Sequence, residues 1–455
     1  MPDETPGIET LHVAGEFPPV STAEWDAAIR KDLKGADYEK KLVWRTEEGI
    51  AVRPYYRRED AAGLEGRVSL PAGHTWTARE ELTFPASAVR ADLLQDAGAN
   101  AVQELGIALA QGVEQFAEAP RPMEFVFAVG ANYFFEIAKL RAARILWAQA
   151  AAAFNAPGGV TIHVRTARID KSVYDVYTNL LRATTEAMSA AIGGCDTIAV
   201  EPFGYSAHLA VNVHRVLREE AHLDAVADPA AGSYYIEVLT DALARAAWKL
   251  FQEIEGAGGY SAATASGFVE KQLETSRAEK RKAVAYRRRT LVGVNNYPNV
   301  KEKLPRAHAP APLGPEEFRL AEPFECIRER TARHAAKTGR YPEVLLLKRG
   351  DVKMRMARAN FSFNFFGCAG FDIVESEQYA GSGADLIVLC SSDAEYLEMA
   401  REVCASVKVP VIVAGNPKEQ VEALRAAGVQ GFIHIGSDAV AVLTEWQDRL
   451  SMEVA

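Results

Sequence analysis

Thr161, His163 and Arg165 alternate within Val160-Thr161-Ile162-His163-Val164-Arg165, so on a β-strand all three side chains point to one face of a sheet. A histidine beside a guanidinium on one face makes a polar site able to move a proton or hold an anion. The commoner role of such residues at a strand end is structural, inside an ion pair, and that role is the one expected here. Ser391-Ser392 follows the apolar run Leu386 to Leu389 and so sits at the C-terminal end of a strand, where open α/β sheets bind ligands. With Asp393 next in line, a loop and helix N-cap is the expected role of this pair. Gly256-Ala257-Gly258-Gly259 follows a helical pattern, where a dinucleotide fingerprint must follow a strand, and reads as a helix-terminating turn. Gly381-Ser382-Gly383 precedes a strand, which is again the wrong order for that fingerprint. Cys195, Cys326, Cys368, Cys390 and Cys404 show no CxxC pair and no zinc-type interleaving with histidine; they read as reduced, mostly buried thiols.

The elements that must hold these residues belong to a large globular chain. Its 455 residues, 48% apolar and 25% charged, supply core enough for more than one domain. Lysine and arginine total 51 against 61 acids, a net charge of −10, which argues against nonspecific attraction to nucleic acid or anionic membrane. No apolar run reaches the ~18 residues of a spanning helix, and Met1-Pro2-Asp3-Glu4-Thr5 leads into no apolar segment of a leader, so a soluble, cytoplasmic protein is expected.

Residues 1 to about 20 lack periodicity and read as a loose arm. Trp25 to Leu33 has a helical pattern, and Val43-Trp44-Arg45 and Ile50-Ala51-Val52 read as short strands around Glu48-Gly49. From about 95 to 255 strand and helix patterns alternate. Glu124 to Val129 precedes a helix carrying Ile137, Leu140, Ala143 and Trp147; Val160 to Val164 precedes a helix from Tyr177 to Ala191; Thr197 to Val200 precedes one from Ala207 to Glu220. This predicts a parallel sheet with about four recognisable βα units, against the eight of a closed barrel. Pro305, Pro310, Pro312 and Pro315 mark 302–342 as a stiff surface linker. Beyond it, Val344 to Leu347, Asp385 to Leu389, Val409 to Val413 and Gly431 to Ile435 read as buried strands of a doubly wound domain.

Several segments, in order, carry a family resemblance: Lys34-Gly35-Ala36-Asp37-Tyr38, Gly49 to Tyr56, Phe135-Glu136-Ile137-Ala138-Lys139-Leu140-Arg141-Ala142-Ala143-Arg144, Glu186 to Gly194, Asp228-Pro229 with Gly232-Ser233-Tyr234-Tyr235, and Gly293-Val294-Asn295. Together they resemble the methylmalonyl-CoA mutase family over most of residues 25 to 300 and, more weakly, 341 to 450. Ile169 to Asp175 and Phe361 to Gly370 resemble the small, non-catalytic subunit of its heterodimeric members. The resemblance implies a radical carbon-skeleton rearrangement between methylmalonyl-CoA and succinyl-CoA, with adenosylcobalamin supplying the hard chemistry.

The positions that the resemblance marks as catalytic are changed. Counting back from Phe371-Asp372, the family's Asp-x-His-x-x-Gly falls on Lys353, Arg355 and Arg358, and a guanidinium has no lone pair for cobalt. The family's active-site histidine falls on Ala199, and the arginine holding the substrate carboxylate falls on Thr161. Its tyrosine-bearing segment is shortened to Ser69 to Thr77, so either the first βα units are absent and neighbouring chains complete the sheet, or residues 80 to 120 pack differently. Phe361, Phe363, Phe365 and Phe366 are expected in the core. Arg281, Lys282, Arg287, Arg288 and Arg289 are expected on a solvated or subunit-contacting face, with a coenzyme A phosphate as the lesser alternative.

The expected architecture is therefore α/β: an N-terminal arm and lead-in over 1–80, a TIM-barrel-like acyl-CoA mutase domain over 81–301 that is truncated or complete, a Pro-rich linker over 302–340, and a flavodoxin-like, doubly wound domain of cobalamin-binding type with a degenerate site over 341–455. The expected function is the catalytically silent small subunit of a methylmalonyl-CoA mutase, with no catalytic, cofactor-binding or metal residues of its own and with adenosylcobalamin in a large catalytic partner. Binding of acyl-CoA stays open. The alternatives are a free-standing acyl-CoA-binding or sensor protein and a self-sufficient mutase using His163, Arg165 or His434 in new roles.

Overall fold

The computed structural model describes residues 19–453 apart from 69, 72, 306, 307, 315, 316 and 382. The loose arm expected over residues 1 to about 20 lies almost wholly outside them, as does Ser382 of the Gly381-Ser382-Gly383 turn. The chain divides into two compact units, 1–56 and 57–455. In the first, helix α1 (Thr22–Asp32) starts at a capping box in which Ser21 and Glu24 satisfy each other's backbone N–H, and Asp37 caps the short α2 (Tyr38–Leu42). Strands β1 (Trp44–Arg45) and β2 (Ala51–Val52) pair antiparallel, as the sequence pattern predicts.

The second unit holds two parallel sheets. The first is built from β3 (Thr77–Arg79), β4 (Val89–Arg90), β5 (Met123–Val129), β6 (Val160–Thr166) and β7 (Thr197–Ala199), in the order β3-β7-β6-β5-β4. Helices α3 (Ala91–Asp96), α4 (Ala101–Glu118), α5 (Tyr133–Ala153) and α6 (Val176–Ile192) fall between its strands. After β7 come α7 (Ala207–Arg215), α8 (Tyr234–Gly256), α9 (Tyr260–Ala265) and α10 (Phe268–Ala285). The helix expected from Ala207 to Glu220 widens into a π-helical turn at Val216–Glu220. β5 is buried at every residue but Glu124, which is why Phe125 to Val129 is an unbroken apolar run and not an alternating one. Helix α4 comes close to it at Gly112, where a Cβ would stand 2.6 Å from the Phe125 ring.

The second sheet comprises β8 (Glu343–Lys348), β9 (Asp372–Ser376), β10 (Leu386–Cys390), β11 (Val411–Ala414) and β12 (Gly431–Ile433), ordered β12-β11-β10-β8-β9 and parallel throughout. With it come α11 (Glu322–Thr338), α12 (Val352–Gly367), α13 (Tyr396–Ser406), α14 (Val421–Ala426) and α15 (Ala439–Arg449). Phe365 and Phe366 of α12 are core, with Phe361 and Phe363 packed against them, in line with the sequence reading.

The structure corrects the reading of 302–340 as a surface linker. Pro323 stands in the first turn of α11, which buries Phe324, Ile327, Arg328, Thr331 and Ala335 and stops at Gly339 in a left-handed conformation (φ 82°). Phe318, Leu320 and Phe324 lie in one apolar cluster with Ala128 and Ile169 beside the first sheet and Leu346 and Val388 of the second. The prolines gave the segment a linker's composition, while its apolar spacing after Pro323 is that of a half-buried helix. Three of the five cysteines, Cys195, Cys368 and Cys390, are buried, and all five are unbridged.

Candidate functional site

The strand register decides which residues of the first sheet share a face. Thr161, His163 and Arg165 stand beside Glu124, Val126 and Ala128 of β5, beside Thr197 and Ala199 of β7, and through these beside Arg79 of β3 and Arg90 of β4. The structure therefore brings together the His163–Arg165 pair and the two marked positions, Thr161 and Ala199. It also shows how that face is occupied. His163 is 4% exposed, with Nδ1 2.9 Å from Thr197 Oγ1 and Nε2 2.9 Å from Glu124 Oε2, so both ring nitrogens are engaged. Phe84 lies against it, with ring centroids 5.9 Å apart, and the guanidiniums of Arg79 and Arg90 each stand 5.4 Å from the Phe84 centroid.

Arg165 is fully buried. Its Nε donates to Asp92 Oδ2 at 2.7 Å, and its Nη2 donates to Asp96 and to the Asp92 carbonyl. Asp92 also receives two 2.7 Å bonds from Arg90, and Asp96 accepts the backbone N–H of Arg168 at 3.2 Å. Burial pushes the Asp96 carboxyl up, opposed by Arg165; the contacts themselves make Arg165, Asp92 and Asp96 a buried, desolvated ion-pair cluster. The expectation of structural, ion-paired roles for His163 and Arg165 agrees with this geometry.

Two further buried clusters flank the sheet, and sequence reasoning did not find them. Lys139 Nζ lies 2.6 Å from Glu104 and 2.5 Å from Glu136 and donates to the Ala128 carbonyl at 2.7 Å. Lys171 Nζ lies 2.9 Å from Asp170 and 2.5 Å from Glu186. In each, one lysine serves two carboxylates. The available signal for the first was four charged residues, Glu136, Lys139, Arg141 and Arg144, crowding the first half of a helix otherwise rich in alanine and large apolar residues.

In the second sheet, the stretch marked by the cobalt-ligand motif is the first part of α12, whose N-cap Asp351 accepts the Met354 N–H at 2.8 Å. Lys353 is exposed, Arg355 pairs with Glu377 at 3.0 Å, and Arg358 pairs with Asp393 at 3.2 Å. The Arg358 guanidinium also packs on Gly415 just past β11, 3.4 Å from where a Cβ would stand. His434, beyond β12, is held below its ordinary range by burial and by Arg358, and its Nδ1 accepts the Gly436 N–H at 3.1 Å. Among the described residues no three His, Cys, Asp or Glu side chains converge as a metal site would need. An exposed lysine and two guanidiniums paired with carboxylates do not fit the places of an anchor, a cobalt ligand and a closely approached glycine.

Ser391 and Ser392 cap the turn after β10. Ser392 and Glu395 form a capping box, and Glu395 Oε2 accepts from both hydroxyls at 2.6 Å. The Ser391 and Ser392 hydroxyls, in that order, lower the Glu395 carboxyl to about 2. A depressed folded-state value means that the contribution is present above the ordinary carboxylate range and lost as pH falls through about 2. Carbon-detected NMR titration should find Glu395 charged down to that pH, and Ser391→Ala with Ser392→Ala should return it toward the ordinary range; an unchanged value would show that the two hydroxyls are not the cause. Gly256 to Gly259 end α8 in a turn with Gly258 and Gly259 at positive φ, as the sequence reading expects.

Comparison with known proteins follows the same outline. Residues 71–336 match the family model described as methylmalonyl-CoA mutase. The chain is 31% identical to the methylmalonyl-CoA mutase small subunit of Porphyromonas gingivalis, over 96% of this chain and 98% of that protein. It is 37% identical to the small subunit of Streptomyces virginiae over 78% of this chain and 63% of that one. To the methylmalonyl-CoA mutase of Cereibacter sphaeroides it is 37% identical over 50% of this chain and 35% of the relative. The Porphyromonas alignment extends over 612 positions against 455 residues here, so well over a hundred of its positions have no counterpart in this chain. The matched span holds the whole first sheet and its buried charge clusters, and the chain belongs to the methylmalonyl-CoA mutase family.

Proposed function

We propose that this chain is the catalytically silent small subunit of a methylmalonyl-CoA mutase, supporting a large, adenosylcobalamin-binding subunit that interconverts methylmalonyl-CoA and succinyl-CoA. The observation that carries the reading is the occupied inner face of the first sheet: His163, Arg165, Arg79 and Arg90 face Glu124, Asp92, Asp96 and Phe84, where a mutase needs a cavity lined by a free proton donor and carboxylate clamp. The names of the Porphyromonas and Streptomyces relatives support it independently. In this reading the first sheet is a truncated TIM-type barrel and the second a flavodoxin-like domain of cobalamin-binding type whose ligand positions, Lys353, Arg355 and Arg358, have become cations. The strand order β9-β8-β10-β11-β12, sequentially 2-1-3-4-5, supports that second assignment. No helix among the described residues is long and apolar enough to cross a membrane, and the proposed setting is the cytoplasm, with no nucleic acid or membrane partner.

Co-expression with a mutase subunit that keeps an intact Asp-x-His-x-x-Gly, followed by size-exclusion chromatography and light scattering, tests the reading. A stable complex is expected; a monomer that ignores such a partner would sink it. Titration of the chain alone with adenosylcobalamin should leave the corrin bands unshifted. Introducing Lys353→Asp with Arg355→His should yield no conversion of methylmalonyl-CoA above a no-enzyme control, since Ala199 and Thr161 still offer neither proton donor nor carboxylate clamp. Turnover in that variant would show that the first sheet is catalytically competent.

A further inference from the structure

Between the last turns of α10, the segment 319–323 and the start of α15 lies a cleft of about 520 Å³. Its floor is apolar. Val284 and Leu320, each almost fully buried, belong to the core beneath it, and Val440 packs against that core from the side. Its mouth is cationic, with Arg281 and Lys282 on α10 and Arg288 just beyond, 5.6 Å over the ring of Tyr286, which forms an aromatic wall.

These three cations have no carboxylate partner among the described residues, although the chain carries 61 acids against 51 lysines and arginines. Two neighbouring arginines, by contrast, are paired. Arg319, at the same cleft, is held by Glu325 at 2.6 Å, and Arg277, one turn earlier on α10, by Glu270 at 2.9 Å. Among the described residues the one acid lining the cleft, Asp438, is committed as the N-cap of α15, accepting the Ala441 N–H at 2.9 Å. A mouth with at least two uncompensated charges above an apolar floor and an aromatic wall suits a ligand that is anionic at one end and flat and apolar at the other. An acidic protein segment would use the mouth and leave the floor without an occupant.

We propose that this cleft binds a nucleoside phosphate, its phosphates on Arg281 and Lys282 and its base on the floor beside Tyr286. That chemistry comes either as a free nucleotide or as the nucleotide end of coenzyme A. The inference does not rest on the subunit reading and can fail without it.

Calorimetric titration of the full chain with ADP, coenzyme A and inorganic pyrophosphate, at low and physiological salt, tests it. Saturable binding that weakens as salt rises is expected for ADP or coenzyme A. Arg281→Glu with Lys282→Glu should weaken it at least tenfold, and Val440→Trp, which fills the floor without touching the charges, should weaken it comparably. Equal affinity for ADP and coenzyme A assigns the site to free nucleotide, and a clear preference for coenzyme A, lost in both variants, assigns it to the cofactor's nucleotide end. Pyrophosphate binding as tightly as ADP would overturn the nucleotide assignment. No saturable binding up to millimolar ligand, or binding that survives both variants, would overturn the site. If the charge reversal impairs only association with a partner subunit while no nucleotide binds, the cations belong to a protein contact and the proposal falls.

Discussion

Arg165→Leu is expected to destabilise the second unit by about 3–5 kcal/mol, because it strands buried carboxylates and not because it removes an attraction. Asp92 keeps its two bonds from Arg90, but Asp96, 1% exposed, keeps only a backbone N–H. Against a typical total stability of about 5–15 kcal/mol, that loss would empty the soluble fraction of much of its folded protein. Adding Asp96→Asn to the variant removes the stranded charge and should recover about half of the loss. Urea unfolding followed by far-ultraviolet circular dichroism measures both. A cost under about 1 kcal/mol for Arg165→Leu would mean that water reaches Asp96 and that the inner face is less closed than its geometry indicates.

The second large effect is a dependence on pH. Glu104 is fully buried and shares one lysine, Lys139, with Glu136; burial first, and then the neighbouring carboxylate, push it up to about 8, with Lys139 opposing. A carboxyl whose folded value is raised binds its proton more tightly when folded than when unfolded. Its stabilising contribution is then complete below the ordinary value of 4.5 and is lost as pH rises through about 8. Across that window the wild-type chain should lose stability at up to about 1.4 kcal/mol per pH unit from this group. Glu104→Gln keeps the shape and a carbonyl able to accept the Ala128 N–H, and should flatten the slope. Denaturant midpoints at several pH values between 5 and 9 decide it. An unchanged slope in the variant would place the retained proton elsewhere, with Glu186, which burial raises in the same direction, the next group to replace.

The sequence is most legible where burial is uniform. The runs at 123–129, 160–166 and 386–390 read as strands because both of their faces are covered. β3 and β4, with three and two residues, are too short to carry a period, so five strands read as about four units. The shared face of Thr161, His163 and Arg165 follows from alternation alone, but their partners do not: Asp92, Asp96 and Glu124 lie 73, 69 and 39 residues away along the chain. Long-range ion pairing leaves no periodic trace. The same limit hid the role of 322–338, where proline-rich flanks outweighed a half-buried helical spacing.

β3 carries a consequence for how the chain folds. It pairs with β7 in register, Thr77 against Thr197 and Arg79 against Ala199, and it occupies the edge of the sheet. Among the described residues its one strand partner is therefore made about 120 residues later. At about 5–20 residues per second, the segment around Trp76, itself 2% exposed when folded, must wait roughly ten seconds on the ribosome without the strand that orders it. Closing a loop of that length is slow compared with forming the local β5–α5–β6 unit. The outermost strand should be the last to dock in refolding and the first to leave in hydrogen exchange, so the early-synthesised edge is the part of the molecule most exposed to chaperones and proteases.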